Sequence, residues 1–179
     1  MNCSLLLLIA ILAGQAPAKQ EGILQPWEAK PVVDQIQKDT RSLIDALGQL
    51  STEHWKGEYG PLLLSTRQRV LDVADALDRL ARKPESLVLA IDALLSMQHI
   101  ESNIDSLARG AERFQPTAVA PLDQGSNVFL DARGRLQTYV LDLARYTEKN
   151  LVSATNDLAS CRNQLWTRPP PAPSPVRRK

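Results

Sequence analysis

Few side chains in this sequence are equipped for chemistry. His54 and His99 are its only histidines, and Cys3 and Cys161 its only cysteines. A carboxylate-bridged metal pair inside a helical protein needs Glu-x-x-His from two helices, yet Ser51 and Ser96 stand three residues before the histidines. Covalent haem would need Cys-x-x-Cys-His, which is missing. Met97 with His54 is the nearest pair of axial ligands, and a methionine on an apolar face reads first as core packing. There is no glycine-rich phosphate loop and no Gly-x-Ser-x-Gly elbow. The expectation is a chain with no catalytic residue, no metal ligand and no cofactor.

Three groupings could still serve a partner or ligand. Gln98, Glu101 and Asp105 fall within about 40° of Leu94 if each helical residue turns about 100°. Two acids four residues apart repel unless a cation lies between them, so the cluster is either a polar pocket or a set of groups returned to solvent or to an arginine such as Arg133 or Arg145. Trp55 and Tyr59 flank Gly57 and offer either an aromatic contact surface or a cap on the end of a bundle. Cys161 sits among apolar residues at helical spacing. It is expected to be a small buried hydrophobe, or else the thiol of a disulfide-linked homodimer.

The elements that must position these groups are helices. After Pro31, apolar residues recur at Val32, Val33, Ile36, Leu43, Ile44, Leu47 and Leu50, the spacing of one helical face. Proline suits a first turn, where its missing N–H would be unpaired anyway. Gly57, Gly60 and Pro61 break the chain, and a second helix is expected over 61–82. Lys83-Pro84-Glu85 makes a tight reversal into a third, over 85–113. Pro116 and Pro121 precede the last helix, expected over 122–166. Gly125 and Gly134 are the expected break points, because glycine costs about 1 kcal/mol against alanine inside a helix. Without a break, a helix this long must overhang its neighbours. No stretch alternates with period two, so the fold class is all-α: an antiparallel bundle of about four helices.

The ends of the chain read differently. Leu5 to Gly14 is an apolar run followed by Ala16-Pro17-Ala18, the pattern of a signal peptide over 1–18 cut after Ala18. It is shorter than the roughly 20 residues a membrane span needs, and no second apolar run follows. Residues 19–30 read as a leader, 31–166 as the bundle, and the Pro-rich basic stretch 167–179 as a disordered tail. Cys161 would then be the only mature cysteine, so no disulfide forms within the chain. Arg168, Arg177, Arg178 and Lys179 give the tail four positive charges and no acid, leaving the body slightly acidic; that argues against nucleic acid as a partner. The expectation is an exported, periplasmic or extracellular interaction or structural protein of the cell envelope. The alternative is a carrier of lipid or another apolar ligand between amphipathic helices.

Overall fold

Proline and glycine place the turns, and three- and four-residue apolar spacing fills what lies between them with helix. In the computed structural model, which describes residues 26–51, 53 and 55–167, these are α1 (Pro26–Gly48), α2 (Tyr59–Arg82), α3 (Leu87–Phe114) and α4 (Val119–Thr167), with a 3-10 turn at Pro116–Ala118 leading into the last. α1 packs on α2 and α4, and α3 packs on α2 and α4, so chain order is also the order around a four-helix antiparallel bundle. No strand occurs among the described residues. Residues 1–25, the expected signal segment included, His54 and the tail from 168 onward lie outside the described residues.

The helix starts differ from the sequence expectation. α1 begins at Pro26 and carries Pro31 inside it. Only the first turn of a helix has unpaired N–H groups, so Pro31 gives up one internal bond, and it does so close to an end. The Lys30 ammonium to Asp34 pair, 2.9 Å across the proline, holds that turn. α2 begins two residues ahead of Pro61, with Leu62 N–H donating to Glu58 O at 3.1 Å. α3 starts after Ser86, whose hydroxyl oxygen accepts from Leu89 N–H. This is the cap expected of a serine before an apolar run.

At least one polar clasp crosses each of the four helix–helix seams. Gln37 of α1 donates to Asp78 of α2, and Arg79 of α2 pairs with Asp92 of α3 at 3.0 Å. Arg133 of α4 pairs with Glu101 of α3, and Arg135 of α4 with Asp39 of α1. Such pairs add little stability where water reaches them. They penalise any slide of one helix along its neighbour, so they fix register. Inside the seams the core is filled by Ile36, Leu43, Leu63, Leu77, Met97, Ile100, Leu107, Phe129 and Leu136, all fully buried.

α4 runs unbroken for 49 residues, about 74 Å at 1.5 Å per residue, against 24 residues for α2. The breaks expected at Gly125 and Gly134 do not occur. Gly125 is instead where α1 comes closest: a Cβ there would lie 2.9 Å from both the Ala46 Cβ and the Ser42 carbonyl oxygen. The length mismatch appears as an overhang. α4 buries Leu122, Gly125, Phe129, Ala132, Leu136 and Tyr139, then presents every residue from 147 to 166 to solvent.

Candidate interaction surfaces

The acids of α3 do not converge on a pocket. Gln98 and Asp105 are exposed, while Glu101 is half-buried and takes the guanidinium of Arg133. Met97, Ile100, Ile104 and Leu107 supply the buried face and turn the acids toward the rim facing α4. Among the described residues no group of three His, Cys, Asp or Glu side chains could hold a metal ion. Met97 is core. His99 lies on the surface, with its Nδ1 2.7 Å from the Leu95 carbonyl oxygen.

The aromatic pair near Gly57 closes one end of the bundle. Gly57 adopts φ +67°, a left-handed turn that favours glycine, and swings the chain back so that Trp55 is buried and Tyr59 half-buried. Both rings stand beside Phe114, with centroids 6.3 and 5.6 Å away. They also pack down on Gly110, where a Cβ would meet Trp55 Cζ3 at 2.8 Å and Tyr59 Cδ1 at 2.9 Å. Trp55 therefore offers no ring face to a partner; it stops the bundle. Beside it, Arg67 of α2 donates to the carbonyl oxygens of Leu47 and Leu50. It thereby caps α1, whose last turn has no basic residue of its own.

At the other end, Tyr139 is the last fully packed residue of α4. Its hydroxyl donates to Pro84 O in the turn between α2 and α3. Burial, with the nearby Glu85 carboxylate adding to it, pushes the phenol up to about 12. Beyond this point the stripe of α4 loses its neighbours. Leu151 is 67% exposed, Leu158 72%, Leu165 66% and Trp166 84%.

Cys161 lies in that stretch and is exposed, which corrects the expectation of a small buried hydrophobe. The periodicity around it is as read from the sequence, but α1, α2 and α3 end before they can cover it. The overhang is one of the two outcomes expected from the helix lengths; the exposure of Cys161 and its apolar stripe is what sequence reasoning missed. Its signal was the excess length of the last apolar repeat over the other three.

These features define a four-helix bundle that carries a projecting, apolar-striped helix and no enclosed polar centre among the described residues. Comparison with protein-family models, with curated protein sequences and with solved structures finds no match to this chain.

Proposed function

We infer that this chain is a non-catalytic interaction protein exported to the cell envelope, in which the bundle serves as a stiff mount for the free end of α4. The observation that carries the reading is the run of twenty exposed residues with Leu151, Leu158 and Leu165 along one side. Large apolar side chains repeated in line on a surface mark a binding site far more often than isolated ones do. Export is supported by the Leu5–Gly14 run and by Ala16 and Ala18.

The reading of a lipid or apolar-ligand carrier draws on the same stripe. A helix that lies on a membrane usually pairs its apolar face with a basic one. Here Glu148 and Asp157 balance Lys149 and Arg162, which favours a protein partner.

Two measurements test the proposal. Sequencing the N-terminus of protein recovered from the envelope or medium should begin at Lys19; a cytosolic product that keeps residues 1–18 overturns export. A photo-reactive residue at position 158 should crosslink to a polypeptide in intact cells. Crosslinks to lipid alone would transfer the assignment to the carrier reading.

A further inference from the structure

The occupant of the exposed stripe can be read from its spacing, its charges and its length. Thr147, Leu151, Ala154, Leu158, Cys161 and Leu165 step by four, three, four, three and four residues, the a and d positions of a two-stranded coiled coil. At about 100° per residue each of the six lies within about 60° of the buried Leu136. The exposed seam is thus the face that α1 and α3 cover lower down α4, continued past their ends. Intrinsic helix preference does little to sustain the stretch. Thr147, Asn150, Val152, Ser153, Thr155, Asn156 and Asn163 are weak helix formers, and helices in proteins owe most of their stability to packing on an apolar face.

We propose that this seam pairs with the same seam of a second copy of the chain, in antiparallel orientation, resting on the interaction reading above. A parallel partner is blocked: its own α4 would have to run on through the space that α1 and α3 occupy. Among the described residues nothing stands in the path of an antiparallel partner. With Leu151 facing the partner's Cys161 and Ala154 facing the partner's Leu158, Leu165 reaches the partner's Thr147, where the exposed stretch begins. The two overhangs then overlap along their whole length, and each tip meets the other bundle's end.

This register also matches charge. In an antiparallel pair the flanking e positions face one another, so Glu148 meets the partner's Arg162 and Arg162 the partner's Glu148, while Thr155 meets its own copy. Neither Glu148 nor Arg162 has an ion-pair partner among the described residues of its own chain. Sliding the pairing by one heptad either loses both charge pairs or drives the tips into the bundles. On the other flank Asp157 meets the partner's Asp157, an unfavourable contact that the two Glu–Arg pairs outweigh. The symmetry is isologous, each residue repeating its contact across a two-fold axis. Cys161 faces a leucine and stands about 15 Å along the axis from the partner's Cys161. The dimer is therefore held by packing, with no Cys161–Cys161 disulfide.

Light scattering on protein purified after expression of the full sequence should give twice the chain mass at micromolar concentration, with or without reductant. Leu158→Asp should give a monomer whose four-helix core stays folded, since the position is exposed in the single chain, with any loss of helix confined to the overhang. Glu148→Arg and Arg162→Glu should each weaken the dimer at least tenfold, and the two together should restore it. Asp157→Asn should tighten it. In a parallel pair Asp157 would face the partner's Arg162, so the same change would loosen it.

Leu151→Cys under oxidising conditions should yield a covalent dimer through Cys161. A wild-type monomer, a dimer crosslinked through Cys161 alone, or weakening by Asp157→Asn would overturn the proposal. A monomer that still crosslinks to another polypeptide from position 158 would sink the self-pairing and leave the interaction reading standing. Loss of both would end the two together.

Discussion

Replacing each of two glycines of α4 by alanine should have opposite effects, and the pair tests whether the bundle is as closely packed as described. At Gly134, exposed and with nothing within 4 Å of an added Cβ, alanine only restricts the unfolded chain and improves helix propensity, a gain of about 1 kcal/mol. At Gly125 the same gain is available, but the new methyl would lie 2.9 Å from the Ser42 carbonyl oxygen and 2.9 Å from the Ala46 Cβ. Ordinary carbon contacts settle near 3.5–4.0 Å, and a backbone oxygen cannot rotate away. α1 and α4 must therefore separate, at a cost of about 1–3 kcal/mol for overpacking. The net effect should be about 1 kcal/mol of destabilisation, leaving the two variants about 2 kcal/mol apart. With a urea slope near 2 kcal/mol/M, their midpoints should differ by about 1 M, read by circular dichroism at the helix minimum. If Gly125→Ala stabilises as much as Gly134→Ala, the close approach of α1 and α4 is wrong.

Three other outcomes follow from the packing. Arg67→Met keeps the aliphatic stem but strips the C-terminal carbonyls of α1 of their charged donor, and should cost about 2 kcal/mol in chemical unfolding. Thr66 is fully buried and its hydroxyl has no hydrogen-bond partner among the described residues. Thr66→Val should therefore stabilise by about 1 kcal/mol, and a loss would reveal a partner for that oxygen. Tyr139 has a folded-state pKa of about 12, above its ordinary value of 10.0, so above pH 10 the unfolded chain gives up a proton that the folded chain keeps. Stability should be level below pH 10 and fall as pH rises toward 12; Tyr139→Phe should remove that part of the slope, followed by thermal unfolding across the range.

The sequence by itself determined the number of helices, their order and their C-terminal ends, while the helix starts moved by two to five residues. Those properties are local: Pro61, Pro84 and Pro116 mark the turns, and three- and four-residue spacing gives each helix one apolar side. It also named both readings of Glu101, and Arg133 among its candidate partners, without choosing between them. A helical wheel fixes which residues share a side, not which side meets a neighbour. Only the tertiary structure chose, by burying Met97, Ile100 and Ile104 and leaving Glu101 at the α3–α4 rim.

Gly125 and Cys161 follow the same logic. Glycine's helix penalty is a property of the chain alone, whereas the need for a missing side chain at 125 comes from α1 lying against it. Cys161 keeps the period of a buried residue, yet burial needs a partner at that height, and the other three helices end too soon. Periodicity was legible because it is written in one segment. Cover was not, because it depends on the relative lengths of four segments packed side by side.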